Sequence, residues 1–392
     1  MRDSFQRLFA HTRSVISTGS TGSTGLWALL ASVGLSQAVH AQIDTSQLFL
    51  PPGFTISVVT DAVPNARQMA LSDDGTLYVG SRRAGNLYAI RHWQDPAKQE
   101  VRVIAADLSL PSGVVWHAGD LYVGALNQIL RYPNIGETLA ANSDQLPTPQ
   151  VITDDLPAKR HHGWKYLSMG ADGALYVPVG APCNICKSKD PRFASILRMD
   201  PKSGATSIYA AGVRNSVGMA WHPETGQLWF TDNGRDSMGD DVPADEINIV
   251  TEPGEHYGYP YVHAGDVPDP KFGKKTPDQT FRAPLQKIQA HSAALGIDFY
   301  TGTQFPPRYR NALFVAEHGS WNRSAKVGYQ VSVLFETPQG PQYSPFITGW
   351  LRGEENWGRP NDLLMTPDGE LLIADDQNGA IYRVSYTAPA AN

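Results

Sequence analysis

The sequence predicts an all-β fold, a six-bladed β-propeller, and three observations carry that reading. One strand phrase recurs six times: "DGTLYVG" from Asp74, "AGDLYVG" from Ala118, "DGALYVP" from Asp172, "TGQLWFT" from Thr225, "NALFVAE" from Asn311 and "DGELLIA" from Asp368. A second strand pattern follows each copy after a loop, as in "GNLYAI", "SILRMD" and "GAIYRVS". The composition, with 36 Gly and 29 Pro among 392 residues and only 18% charged, suits many short strands joined by turns rather than long helices.

Each phrase opens on a turn and continues as Leu, an aromatic or Leu, then a β-branched or small apolar residue, the period-2 signature of an antiparallel strand. The copies start 44, 54, 53, 86 and 57 residues apart, so the long interval holds an insertion, placed at residues 254–294. A lone four-stranded sheet of about 50 residues cannot bury both faces, whereas copies stacked around an axis bury them against one another. A β-sandwich with a second domain would leave the recurrence unexplained. In a propeller, the loops of one mouth converge on the axis, and functional residues are sought there.

The chain divides into residues 1–41 and a catalytic propeller over 42–392. Arg2, Arg7 and Arg13 precede the apolar stretch "LWALLASVGLSQAV", and "VHA" stands before Gln42, the pattern of a cleaved export signal. The stretch is too short and interrupted for a stable membrane span, so the expected location is periplasmic or secreted. A net charge of -6 offers no basic excess for a nucleic-acid partner. The two cysteines, Cys183 and Cys186 in "PCNICK", lack a second pair for zinc and a following His for haem. A local disulfide is expected of them in an oxidising compartment, with a redox role as the alternative.

Several loops bring cationic or imidazole side chains to the same blade position: His161 and His162 in "RHHGWKYL", Arg214 and Asn215 in "AAGVRNSVG", His291 in "QAHSAALG", His318 and Arg323 in "EHGSWNR", and Arg359 in "WGRPNDLL". Cations gathered about one axis repel unless something anionic sits among them. The stretch "TDNGRDSMGDDVPADEINIV" concentrates carboxylates suited to a hard cation such as Ca²⁺, although an EF-hand register fails, with Met238 and Asp241 at the third and sixth places from Asp236. A solvated acidic loop is the competing reading of the same stretch.

Three segments, "HHGWKYLSMGADGALYVPVG", "AAGVRNSVGMAW" and "PADEINIVTEPGEHYGYPY", resemble in order and spacing the signature regions of the soluble pyrroloquinoline-quinone (PQQ) dependent sugar dehydrogenases, closest to the sorbosone dehydrogenase-like subgroup, over about residues 48–386. The resemblance implies oxidation of an aldose or sugar aldehyde by hydride transfer to the quinone, with electrons passed on to a periplasmic acceptor. It makes His162 the catalytic base, Arg214 the stabiliser of charge on the quinone, and Asn215 a cofactor-binding amide. Arg323 and Arg359 would pair with the PQQ carboxylates, with His291 on the same face. The carbonyls of Gly234 and Arg235 would hold the catalytic Ca²⁺, while Asp245, Glu246 and Tyr257 match positions of a second, structural calcium. The chain departs from the glucose-oxidising branch at His161, where that branch has Asp, and at Asn361, where it has a second Arg.

Two other functions are compatible with a propeller. A Ca²⁺-dependent lactonase would gather carboxylates and an asparagine around the axis, whereas this sequence gathers arginines. A non-enzymatic scaffold binding a protein or glycan on its rim has no need of clustered His162, Arg214 and Arg323.

Overall fold

A computed structural model describes residues 43–141 and 148–389, and the export segment assigned to 1–41 lies outside the described residues. Six four-stranded antiparallel sheets form the blades. Blade 1 spans 66–105, blade 2 113–153, blade 3 168–211, blade 4 219–288 and blade 5 294–347. Blade 6 takes three strands from 360–386 and its outermost strand, Phe54–Thr60, from the start of the fold. The six-bladed propeller expected from the repeat is the architecture observed.

Every copy of the repeated phrase is the second strand of its blade: Leu77–Ser81, Asp120–Gly124, Leu175–Val179, Leu228–Asp232, Leu313–Glu317 and Leu371–Asp375. The turn ahead of it needs a left-handed residue, supplied by Gly75, Gly119, Gly173, Gly226 and Gly369, and in blade 5 by Asn311, with φ of 60°. Asn tolerates that conformation through its short polar side chain, so one copy lacks the glycine.

Alternation along the phrase then feeds two interfaces at once. Leu77 and Val79 pack toward blade 6 while Tyr78 packs toward blade 2. Leu175, Val177 and Val179 face blade 2 while Tyr176 faces blade 4. Trp229 turns to blade 5 while Leu228 and Phe230 turn to blade 3. The core is therefore six interblade seams, and no blade is stable without its neighbours.

The innermost strands are the segments just before the phrases, and two of them, Ser168–Met169 and Met219–Trp221, are very short. Loops bearing the candidate residues lead into these strands, one strand earlier than the repeat suggested. The insertion lies between the third and fourth strands of blade 4 and contains the small hairpin Val262–His263 with Val267–Pro268. It ends before Gln286–Ile288, which pairs with Asp245–Val250 as the blade's outer strand, so the interval 254–294 overreached its C-terminal side.

The ring closes where Phe54–Thr60 pairs antiparallel with Ala380–Tyr386. Phe54, 8% exposed, meets Phe305, Tyr309, Phe346 and Tyr386 at ring-centroid distances of 4.7–5.3 Å. Truncating a buried Phe to Ala costs about 3–5 kcal/mol. Phe54→Ala should lower the unfolding free energy by that amount, read as a lower urea midpoint at unchanged denaturant slope; a loss under about 1 kcal/mol would show that closure does not rest on this contact.

Candidate active site

Residues just before a blade's first strand and just after its second strand lie at the same end of the sheet, because the two strands run antiparallel. From blades 1, 3, 4, 5 and 6 these residues meet on the axis around a cavity of about 330 Å³, a volume within the range of small-molecule sites. Four guanidiniums line it (Arg67, Arg82, Arg214 and Arg359), with His161, His162, His291 and His318, the carboxylates Asp236 and Asp245, and an apolar floor that includes Val217 and Leu295. At the mouth stands Trp321, 76% exposed.

His162 has a left-handed backbone, with φ of 50°. That conformation presses the residue against the end of the next strand, where a Cβ on Gly180 would lie 2.5 Å from His162 Cβ, so only glycine fits there. His162 Nδ1 is 3.0 Å from the Ala181 carbonyl. A carbonyl only accepts, so Nδ1 carries the proton and Nε2 is left as a basic lone pair. Burial, then the charges of Arg214 and His161, hold the imidazole well below its ordinary value, at about 2. The ring is a neutral base throughout the physiological range.

Arg214 is tied at several points. Its backbone N–H donates to Asp232, and its guanidinium donates to the Asn184 carbonyl and side chain, to the Asn233 carbonyl and to Asp236. Asn215 lines the cavity beside it, its own N–H donating to Asp232 at 2.6 Å. His291 lines the cavity too, with Nε2 2.8 Å from the Gly239 carbonyl. The Arg359 guanidinium donates to the carbonyls of His318 and Gly319, not to a carboxylate, and lies over the Tyr329 ring, while its backbone N–H donates to Asp375.

Arg323 behaves differently from the expectation. Its guanidinium turns to the Asp240 carbonyl and the Asp241 carboxylate, 2.9 Å away, and does not line the cavity. The side chain is a strut for the acidic loop. Arg235 likewise points outward, to Asp269 at 2.6 Å.

The candidate metal residues divide into separate places. Asp245 lines the cavity and accepts the N–H groups of Gly234 and Ala293 at 2.8 and 2.7 Å; burial raises it to about 6. Glu246, next on the strand, faces the other way, opposite Asp232, and accepts from Ala264 and Asn248. Burial and Asp232 push Glu246 up to about 8. Tyr257 joins neither: its hydroxyl donates to the Ile249 carbonyl, and its ring packs on Phe230. Successive strand residues point to opposite faces, so Asp245 and Glu246 serve different sites.

Among the described residues no group of three His, Cys, Asp or Glu side chains is arranged to hold a metal, so a lactonase-type carboxylate ring has no counterpart. Backbone and amide oxygens fit a cation better. Gly234 lines the cavity, and beside Glu246 the buried Asn248 Oδ1 has no partner, an oxygen that a hard cation would satisfy.

Sequence reasoning missed the largest charge cluster. Asp376, 5% exposed, accepts from Arg67 at 3.0 Å, Arg82 at 2.8 Å and His318 at 2.7 Å. Both guanidiniums lie over the Trp164 ring, 5.3 and 4.8 Å from its centroid. The signal was present: His318, already a candidate, directly follows one repeated phrase, and Arg82 and Asp376 stand two residues past the ends of two others, a position not searched in those blades. Cys183 and Cys186 form the expected disulfide.

Fold and site together define a six-bladed propeller whose axial cavity is cationic and presents the neutral imidazole of His162. A family model described as TrAA12-like matches residues 48–387, and the chain belongs to that family. An uncharacterized protein of Borreliella burgdorferi is 33% identical over 364 residues, covering 90% of this chain and 94% of that one. The Trichoderma reesei Carbohydrate-Active Enzymes Family AA12 protein is similar at 18% identity in two structures. Its iodide structure has a TM-score of 0.75 and covers 89% of this chain and 100% of that chain. Its calcium structure has a TM-score of 0.71, with 88% and 99% covered. The holo form of the pyranose dehydrogenase PQQ domain from Coprinopsis cinerea has a TM-score of 0.71 at 18% identity, covering 88% and 98%. At such identities the likeness establishes the common fold.

Two measurements test the electrostatics. In the protein without added cofactor, NMR titration should find His162 neutral between about pH 8 and pH 5, where an ordinary imidazole titrates near 6.5; a midpoint near 6 would contradict the buried base. Asp376→Asn leaves three basic groups without their shared anion and should cost about 3–5 kcal/mol. Its three basic partners hold Asp376 far below the ordinary carboxylate value, so the wild type keeps this stability above about pH 4 and loses it on further acidification. The variant should lack that acid-side decline, and denaturation curves at several pH values check it.

Proposed function

We propose that this chain is an exported sugar dehydrogenase that uses PQQ and Ca²⁺ to oxidise an aldose or sugar aldehyde and delivers the electrons to a periplasmic acceptor. One observation carries the reading: a neutral imidazole with an open Nε2 and a tightly held guanidinium share a cavity ringed by cations, the setting a polyanionic redox coenzyme requires. Likeness to the pyranose dehydrogenase PQQ domain and to the calcium structure of the AA12 protein supports it.

The residues present fit the coenzyme. Arg359, whose guanidinium is bonded only to carbonyls, and Arg82, whose buried Nε has no partner, would hold its carboxylates. Asn215 would add an amide contact, and His291 would stand on the same face. Gly234 and Arg235 would offer carbonyls to the cation, with Glu246 and Asn248 suited to a second one. When bound, PQQ supplies a two-electron acceptor for hydride and Ca²⁺ a Lewis acid.

The chain's own groups do the rest. His162 Nε2 accepts the proton of the substrate hydroxyl, a step suited to a base that stays neutral. Arg214 offers fixed positive charge where negative charge develops, with no reorganisation at the moment of reaction. Trp321 supplies an apolar ring at the mouth for the C–H face of a sugar.

Titrating the purified protein with PQQ, with and without Ca²⁺, should give saturable absorbance changes, followed by dye-linked oxidation of aldoses. His162→Ala should keep PQQ binding and lose about 10²–10⁴-fold in turnover. Unchanged turnover would remove the base assignment, and lactone hydrolysis with Ca²⁺ alone would replace the whole reading.

A further inference from the structure

Between the second and third strands of blade 3, the segment 181–186 does more than connect them. Ala181 donates its N–H to the Arg214 carbonyl at 2.8 Å, and its own carbonyl accepts from His162 Nδ1. Three residues on, Asn184 meets the Arg214 guanidinium twice: its carbonyl accepts from Nε at 3.0 Å and its Oδ1 from a terminal nitrogen at 2.8 Å. The same Oδ1 accepts the N–H of Asp236 at 2.8 Å, and Asn184 Nδ2 donates to the Asp236 carbonyl at 3.0 Å. One carboxamide therefore fixes both the guanidinium and the residue whose carboxylate pairs with it at 3.2 Å.

The loop that carries Asn184 is itself immobilised. The Cys183–Cys186 disulfide closes it, and the N–H of Cys186 donates to the hydroxyl of the buried Tyr259 at 2.9 Å. A four-residue stretch at the mouth of a cavity would otherwise sample many conformations, and its carbonyl would be a poor anchor. Asn suits the position because it accepts and donates in one plane. Asp would lose the donor and set a second carboxylate beside Asp236.

We propose that Asn184, held on the disulfide-closed loop 183–186, is a positioning residue that sets where the Arg214 guanidinium stands relative to His162 in the cavity. The proposal rests on the dehydrogenase reading for its catalytic consequence, though not for its geometry. Blade 3 supplies both the base and this brace, and blade 4 supplies the arginine, so the brace spans a blade boundary and keeps the two groups in register.

The test compares Asn184→Ala and the double variant Cys183→Ser/Cys186→Ser with the wild type. In the protein without cofactor, the Arg214 Nε–H signal, assigned by its disappearance in Arg214→Lys, should be sharp and slowly exchanging in the wild type and broadened or fast-exchanging in both variants. With PQQ and Ca²⁺ added, turnover should fall up to about 100-fold, as expected for a displaced charge, while KM for the sugar changes little. An Arg214 signal like the wild type's in Asn184→Ala overturns the proposal, as does altered Arg214 exchange with full turnover. If even the wild type binds no PQQ, the dehydrogenase reading fails, while altered Arg214 exchange would still support the positioning role. Should the double variant not fold, Asn184→Ala carries the test, because it removes no covalent link.

Discussion

Closure of the ring is the constraint on which the site depends. The sheets bury their faces only against neighbouring blades, so an open array would expose the two faces of one seam, and the strand Phe54–Thr60 pairs with the last strand of the fold to complete blade 6. Thr55 and Ser385, hydrogen-bonded at 3.1 Å, lie 330 residues apart in sequence. Contacts of that separation bring a loop-closure cost that local contacts do not. The reward is a shared axis: five of the six blades contribute to one cavity, and none contains enough of it to act alone.

Once the axis exists, charge becomes the problem. Four guanidiniums within one cavity repel one another at short range, and the low dielectric of the interior magnifies the repulsion. The molecule answers unevenly. Asp376 takes Arg67, Arg82 and His318, and Asp236 takes Arg214, while the Arg359 guanidinium is bonded only to carbonyls and stacked on an aromatic ring. What remains is a positive field directed at the axis, and that same field, with burial, keeps His162 deprotonated. Anion attraction and the neutral state of the imidazole thus come from one arrangement.

The fold was legible because the repeated phrase has to serve two interfaces, and only alternating Leu, aromatic and β-branched residues behind a left-handed turn can do so. The inner strands were not legible, since Ser168–Met169 is too short to carry a pattern. Of the candidate residues, those next to glycine or in strand-leading loops, such as His162 and Arg214, fall at the cavity. Arg323 does not, because sequence cannot say which way a long flexible side chain folds, and this one pairs with a carboxylate outside the cavity. Asp245 and Glu246 look like one cluster in sequence and are two in space for the simple reason of strand pleat. Asp376 escaped notice because its partners, on the two neighbouring blades, stand 58 to 309 residues away in sequence.

The innermost strands also differ in length around the ring: six residues in blades 1, 5 and 6, five in blade 2, three in blade 4 and two in blade 3. Where the ladder is shortest, few inter-strand bonds discipline the backbone, and the polypeptide beside it is held by side chains and turns instead. Evolution can rewrite such stretches without unravelling a sheet. Blades 3 and 4 are therefore the third of the toroid where the shape of the axial cavity can change by modest substitution, while the opposite side, knitted by longer ladders, preserves the scaffold.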